Sequence, residues 1–142
     1  ERSKLLKPVP HRLQPRPTRN GILVIDDSYN GNPEGAKEAI KVLARLNGYW
    51  KIYFTPGLVE MGSRTEEIHY NIGELLSRSA DIIILIRNSV TGYIAKGLRA
   101  GGFSEENIIW FDGAVEAHAG LSKILKSGDV ILFQNDWPDN YF

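Results

Sequence analysis

The chain has 142 residues, a length that is typical of a single domain with one hydrophobic core. Its 17 basic residues balance 17 acidic residues, so the net charge is zero and the broad positive field of a duplex-nucleic-acid binder is missing. It contains no cysteine, which excludes disulfides, thiolate zinc sites and a cysteine nucleophile.

Apolar runs in the sequence are short, at most about five residues, whereas a membrane-spanning helix needs roughly 20. The N-terminus also lacks the apolar segment of a signal peptide. We therefore expect a soluble, cytoplasmic protein whose partners are neither membranes nor nucleic acids.

The first 20 residues are rich in proline and in basic side chains. They hold four of the seven prolines, Pro8, Pro10, Pro15 and Pro17, and show almost no periodic apolar pattern. An extended, proline-stiffened stretch has nothing of its own to pack against. We therefore expect residues 1–20 to be a hinge or linker from a preceding domain, and residues 21–142 to form the domain proper.

From Gly21 onward, short apolar runs alternate with segments of helical spacing. The runs are β-branched or aromatic and mostly unalternating, as strands covered on both faces should be. They predict five parallel strands, at Ile22–Ile25, Trp50–Phe54, Ile82–Ile86, Ile108–Phe111 and Val130–Phe133, and four helices, at about Pro33–Leu46, Thr65–Ser79, Thr91–Ala100 and Ala114–Leu125. This alternation is typical of an α/β fold with a Rossmann-like, doubly wound and mostly parallel sheet.

Residues that commonly begin and end helices agree with this division. Asn32 before Pro33 is a capping residue followed by proline at the first helical position, and Ser63 with Glu66 has capping-box spacing. Glycines supply the predicted helix stops, at Asn47-Gly48 after the first helix and at Gly101-Gly102 after the third.

The loop after the first predicted strand carries the densest group of polar side chains. It reads Asp26-Asp27-Ser28-Tyr29-Asn30-Gly31-Asn32-Pro33 and leads into a helix N-terminus, where free N–H groups and the helix dipole favour a phosphate. Asp27 is a candidate partner for a ribose hydroxyl or for the outer shell of a magnesium ion, and Tyr29 offers a stacking face. The alternative is that Asp26 and Asn32 simply cap turns and the helix.

The loop after the second predicted strand, at residues 56–63, has one ionisable side chain. This is Glu60, which either contacts a substrate or ion, or ties the loop to a neighbouring N–H group. His69 in the next helix is either a ligand or, as is more common, a core histidine with its hydrogen bonds satisfied. His11, His69 and His118 are too scattered for a zinc triad, and we expect His118 to be structural.

Three motifs of self-sufficient enzymes are absent from the sequence. There is no G-x-x-x-x-G-K-[ST] phosphate loop, no G-x-G-x-x-G after the first strand and no G-x-S-x-G elbow. These absences argue against a complete NAD enzyme or kinase.

Three segments carry motifs of a known family. They read Pro10-His11-Arg12-Leu13-Gln14, then Ile25-Asp26-Asp27-Ser28-Tyr29-Asn30-Gly31-Asn32-Pro33, then Pro56-Gly57-Leu58-Val59-Glu60-Met61-Gly62 with His69 beyond. In these segments the chain resembles the Mur ligases, and among them the branch that adds D-alanyl-D-alanine to a UDP-muramoyl tripeptide. The Asp-Asp-Ser-Tyr-Asn-x-Asn-Pro string is the most specific of the three.

The resemblance implies a part of a larger enzyme. Members have one domain for the UDP-sugar, a central domain that binds ATP through a phosphate loop, and a Rossmann-like C-terminal lid, and this chain resembles only the lid. Its implied partners are its own N-terminal and central domains, a UDP-muramoyl peptide, and D-alanyl-D-alanine or another amino substrate. ATP and Mg²⁺ would serve to phosphorylate the substrate carboxylate, after which the amine attacks the acyl phosphate. The isolated chain is then expected to be inactive.

The resemblance also implies roles for particular residues. By position, Arg12 resembles the hinge arginine that reaches the ATP phosphates, and the loop that faces the nucleotide corresponds to Asp27, Ser28, Tyr29, Asn30 and Asn32. Candidates for amino-substrate or loop contacts are Glu60, His69, Asp136, Asp139 and Asn140. No catalytic residue and no metal site are expected in this chain. Since Arg12 and Asp27 take ligand-facing positions, their truncation to alanine is expected to leave the fold intact.

The last strand departs from the family pattern. Typical members continue there with a lysine-glycine-serine turn, whereas this chain has a divergent segment from Gln134 to Phe142, so a different peptide or amino acid is an alternative amino substrate. A second functional hypothesis is a non-catalytic nucleotide-binding or interaction module on the same fold. A third is a stand-alone flavodoxin-like or receiver domain, which the lack of a conventional phosphate-binding loop disfavours.

Overall fold

The computed structural model describes residues 14–18, 20–27, 32–59 and 61–135, with the backbone alone at 14–17. In this part of the chain six strands form one sheet: β1 (Gln14–Pro17), β2 (Leu23–Asp27), β3 (Trp50–Thr55), β4 (Ile82–Ile86), β5 (Ile108–Phe111) and β6 (Asp129–Gln134). The α-helices are α1 (Pro33–Ala44), α2 (Thr65–Leu76), α3 (Thr91–Ala100) and α4 (Ala114–Ile124). All the predicted strands and helices are present.

The strand order in the sheet is β1-β2-β6-β3-β4-β5. Every pair from β2 to β5 is parallel, which confirms the predicted α/β fold with its parallel sheet. The last strand in sequence, β6, lies in the interior of the sheet, between β2 and β3. The carboxyl ends of these three strands are therefore neighbours.

The strand β1 was not predicted. The sequence assigns residues 1–20 to a linker, whereas Gln14–Pro17 pairs antiparallel with β2 at the edge of the sheet. Residues two apart in a strand present their amide groups to the same side, so Pro15 and Pro17 remove donors from one side only. That pattern suits an edge strand. The N–H groups on the side toward β2 remain available for pairing, whereas the outer side lacks donors and is a poor template for another strand.

The helices cover the two faces of the sheet unequally. One face packs against α1, α2 and α3, and the other packs against α4. Connections from β2 through β5 advance in one direction along the sheet, whereas the return from β5 to β6 runs in the opposite direction. Since each crossover is right-handed, the return helix α4 must lie on the opposite face. Neighbouring strand residues such as Ile83 and Ile84 are buried on opposite faces, which explains the unalternating apolar runs.

The start of α1 is capped as the sequence predicts, whereas the start of α2 is not. Asn32 caps α1 as predicted, since its side-chain oxygen accepts a hydrogen bond from Gly35 N at 2.7 Å. The capping box predicted at Ser63 is wrong. Ser63 lies within a 3₁₀ turn at Gly62–Arg64, and α2 begins after Arg64 without a side-chain cap. The hydroxyl of Thr65 closes this turn by donating to Gly62 O at 2.7 Å.

The histidine of α4 has the structural role expected of it. The ring of His118 packs edge-on against Phe54, with 5.4 Å between the ring centroids, and lies 6.3 Å from the ring of Phe133. Burial against these rings lowers the pKa of His118 to about 4, so the imidazole is neutral at physiological pH.

Within the described residues, no helix combines the length and the apolar character needed to cross a membrane.

Candidate functional site

The candidate site lies at the carboxyl edge of the sheet, where β2, β6 and β3 end side by side. Ligands of open α/β sheets bind at this edge. Of the residues proposed from the sequence, the structure describes Asp27 at the end of β2, Asn32 at the start of α1 and His69 in α2. The others lie outside the described residues: Arg12, Ser28, Tyr29, Asn30, Glu60, Asp136, Asp139 and Asn140.

Asp27 is fully buried although it ends a strand at the ligand-binding edge. In the sheet it pairs with Gln134, whose side-chain nitrogen Nε2 donates to Asp27 Oδ2 at 2.5 Å. The carboxylate is therefore built into the end of the sheet. This corrects the expectation that Asp27 occupies a surface position.

A buried phenol completes this network. The hydroxyl of Tyr53, on β3, donates to Gln134 Oε1 at 2.8 Å, and the Gln134 side chain is itself fully buried. Burial, and secondarily the charge of Asp27, raise the pKa of Tyr53 above its usual value, so the hydroxyl keeps its proton and remains a donor. Three adjacent strands are thus linked through the side chains of Tyr53, Gln134 and Asp27.

The loop after β3 is tied to the end of β6 by two further contacts. Thr55 Oγ1 donates to the main-chain oxygen of Gln134 at 2.9 Å and accepts from Gly57 N at the same distance. Asn135 Nδ2 donates to Gly57 O at 2.8 Å. Gly57 has φ +93°, and a Cβ there would lie 2.5 Å from a methyl carbon of Val90, so only glycine allows this close loop.

The side chain of His69, on α2, holds the loop after β3 in place. Its Nε2 accepts from Leu58 N at 2.9 Å, which requires a neutral ring with the proton on Nδ1, and Nδ1 then donates to Thr65 O at 2.7 Å. Both ring nitrogens are therefore used within the chain. This geometry fits a satisfied core histidine rather than a group available to a substrate.

A groove of about 220 Å³ lies between the N-terminal ends of α1 and α2. Its charged residues are Lys37 and Arg64, which are cationic, and Glu34 in the first turn of α1. Pro33, Ile68 and Asn71 complete the lining. Two cations beside two helix N-termini suit an anionic group such as a carboxylate or phosphate.

Sequence reasoning missed several of these residues for identifiable reasons. Lys37 lies one helical turn into α1, and Arg64 directly follows the loop at residues 56–63, so proximity to the two polar loops was the available signal. Tyr53 and Gln134 have no such local signal, because they are 81 positions apart and meet only through the pairing of β3 with β6.

The described residues include no group of three or more His, Cys, Asp and Glu side chains that could hold a metal ion. The groups at this edge that suit an anionic ligand are the N-terminus of α1 and the cations of the groove, whereas the Asp27 carboxylate is fully buried.

Comparison with known proteins identifies relatives over most of the chain. The family described as Mur ligase, glutamate ligase domain matches residues 11–134. The UDP-N-acetylmuramoyl-tripeptide–D-alanyl-D-alanine ligase of Bacillus subtilis is 26% identical over 130 residues, which cover 91% of this chain and 28% of that protein. The Escherichia coli enzyme of the same name is 38% identical over 69 residues, covering 49% of this chain and 15% of that protein.

Solved structures of ligases also match this chain. The MurF ligase from Thermotoga maritima, crystallised in complex with ADP, is 30% identical, with a TM-score of 0.73, and the match covers 91% of this chain and 28% of that one. A domain of a Haemophilus ducreyi ligase has the same fold, with a TM-score of 0.60 at 19% identity, over 88% of this chain and 89% of that one. This chain thus spans about a quarter of the length of the full-length relatives.

Proposed function

Because this chain belongs to the Mur ligase, glutamate ligase domain family, we propose that it is the C-terminal lid of an ATP-dependent amide ligase of peptidoglycan precursor synthesis. The observation that carries this proposal is the family match across residues 11–134, which includes both loops of the carboxyl edge. In the proposed enzyme the lid closes over ATP and the amino substrate, and the isolated lid does not catalyse ligation. The location of the enzyme is the cytoplasm.

The reaction implied by the family has two steps. An oxygen of the substrate carboxylate attacks the γ-phosphorus of ATP, and ADP leaves, so that an acyl phosphate forms. The nitrogen of the amino substrate then attacks the acyl carbon, loses a proton and displaces inorganic phosphate. Bound Mg²⁺ would neutralise phosphate charge during the first step.

The contribution of this chain is to orient ligands and to exclude water. The loop that begins at Asp27 faces the nucleotide, and the ordered carboxyl edge gives that loop a fixed base. Closure of the lid protects the acyl phosphate from hydrolysis. Lys37 and Arg64 line the groove between the two helix N-termini and hold an anionic group of a substrate there.

The D-alanyl-D-alanine-adding branch is the proposed specificity. It is supported by the relatives from Bacillus subtilis and Escherichia coli, which carry that name. Another peptide or amino acid as the amino substrate is the alternative, because the sequence from Gln134 to Phe142 departs from the lysine-glycine-serine pattern of typical members.

The test is a ligation assay with the complete protein that carries this domain. ADP release should depend on both a UDP-muramoyl tripeptide and an amino substrate, with D-alanyl-D-alanine preferred to single amino acids. Arg12→Ala should lower kcat/KM for ATP by roughly two to three powers of ten, since it removes a charge-assisted phosphate contact. Arg78→Ala is the matched control, because Arg78 follows the C-terminal end of α2, away from the carboxyl edge, and should leave the rate unchanged.

A complete protein that binds ATP but ligates none of these substrates would contradict the ligase proposal and favour a nucleotide-binding module. Equal losses in the two arginine variants would contradict the role of Arg12. Ligation of a different amino substrate would retain the ligase and reject the proposed branch.

A further inference from the structure

The end of β6 is hydrogen-bonded to the ends of β2 and β3, where the two polar loops begin. Gln134 donates to the carboxylate of Asp27, where the first loop begins, and its main-chain oxygen accepts from Thr55, where the second loop begins. The next residue, Asn135, continues the pattern, because its main-chain N–H donates to Asp27 O at 3.3 Å and its side-chain amide donates to Gly57 O at 2.8 Å.

The direction of the hydrogen bonds at Gln134 is determined by its neighbours. The carboxylate of Asp27 only accepts, so the NH₂ group of the amide must point toward it. The amide oxygen then points toward Tyr53, whose hydroxyl donates to it. Because the pKa of Tyr53 is raised, that donor is present across the physiological range. The amide of Gln134 therefore has one orientation.

The backbone after Gln134 is also specific. Asn135 has φ +60°, and it is the one non-glycine residue with a positive φ among the described residues. Asparagine tolerates this left-handed conformation better than most side chains. Through this conformation the side chain of Asn135 reaches the carbonyl group of Gly57 while its N–H remains on β2.

We propose that Gln134 is a positioning residue for the ligase reaction: its buried amide holds the Asp27 carboxylate in one orientation and ties the end of β2 to the end of β3. Gln134 touches no reacting atom and acts through Asp27. The kinetic consequence rests on the proposed ligase function, whereas the orientation of Asp27 does not.

Two variants test the orientation in the 142-residue chain. Gln134→Met keeps the length of the side chain and removes the amide, while Tyr53→Phe removes a single oxygen. Thr91→Val is the matched control, because it also removes a fully buried hydroxyl, one that donates to Ile86 O at the end of β4 and has no bond to Asp27. Three-bond couplings to Asp27 Cγ in isotope-labelled protein report its χ1 angle.

A single χ1 rotamer of Asp27 is expected in the parent chain and in Thr91→Val, with rotamer averaging in Gln134→Met and partial averaging in Tyr53→Phe. A fixed Asp27 in both Gln134→Met and Tyr53→Phe would overturn the proposal. If Gln134→Met does not fold, Tyr53→Phe alone decides the question.

The same variants in the complete ligase test the consequence. Gln134→Met and Tyr53→Phe should lower kcat/KM for ATP by about tenfold at a temperature at which all variants are folded, whereas Thr91→Val should match the parent. Unchanged kinetics together with an averaged Asp27 would overturn the positioning role. A parent protein without ligase activity would refute the proposed function instead, and the coupling constants would still decide whether Gln134 orients Asp27.

Discussion

Gly97 on α3 packs directly against the main chain of α2, so that a Cβ atom added to Gly97 would lie 2.0 Å from the carbonyl oxygen of Tyr70. The contact is reciprocal, because a Cβ at Gly73 on α2 would lie 2.1 Å from the carbonyl oxygen of Ile94. The obstructing atoms are backbone, which cannot turn away. Two glycines thus set the separation of the helices that follow β3 and β4.

Gly97→Ala should therefore destabilise the domain by about 2 kcal/mol, since the helices must move apart. Gly92→Ala is the matched control in the same helix, because a Cβ there meets nothing within 4 Å. The control should be neutral or should stabilise the fold by roughly 0.5 kcal/mol, as alanine favours the helix. Urea unfolding of both variants measures the difference, and equal stabilities would refute the close contact.

Asp27→Ala should lower the free energy of unfolding by about 2 kcal/mol, because it leaves the buried NH₂ group of Gln134 without its acceptor. Asp27→Asn should cost less, since its amide oxygen can still accept. Denaturant unfolding at neutral pH compares the two. A loss within roughly 0.5 kcal/mol for Asp27→Ala would instead support the surface position that the sequence suggested.

His118 should make the fold less stable in mild acid. Its pKa is about 4 in the fold and 6.5 ordinarily, so between these values the unfolded chain binds the proton and the folded chain does not. The effect of His118 on the free energy of unfolding is therefore absent above pH 6.5. As the pH falls from 6.5 to 4, protonation of the unfolded chain lowers that free energy, and below pH 4 His118 causes no further loss. We expect a loss of roughly 1 kcal/mol, because the ring is partly exposed to water.

The measurement for His118 compares the parent with His118→Phe, which keeps an aromatic ring against Phe54 and cannot titrate. Unfolding free energies at pH 7, 5.5 and 4.5 should decline more steeply in the parent than in the variant. Parallel pH profiles would show that His118 keeps its ordinary pKa.

The isolated chain should bind ATP weakly, with Kd in the region of millimolar, or roughly 4 kcal/mol, because a lid supplies only part of a nucleotide site. Isothermal titration calorimetry with ATP and Mg²⁺ measures this affinity. Micromolar binding would indicate that the nucleotide site is complete in this chain, which would favour the nucleotide-binding module.

Local signals in the sequence were enough to determine the four helices and the five parallel strands. β4, β5 and α3 have their predicted bounds, Asn32 caps α1, and Gly102 has the left-handed φ of +84° expected beyond the end of α3. Such features depend on residues within a few positions of one another, and their propensities act before any tertiary contact forms. The polar loop at the carboxyl end of β2 could be located by the same means.

Tertiary structure alone decided the arrangement of the site. Nothing local places β6 between β2 and β3, and β1 became a strand because the edge of β2 offered a partner to a segment that reads as a linker. The burial of Asp27 follows from that strand order, since its partner Gln134 is 107 positions away. Strand pairing is determined by which arrangement buries the apolar faces and satisfies the backbone hydrogen-bonding groups of the whole sheet. Contacts between residues so far apart in sequence therefore have no signature in a short stretch of the chain.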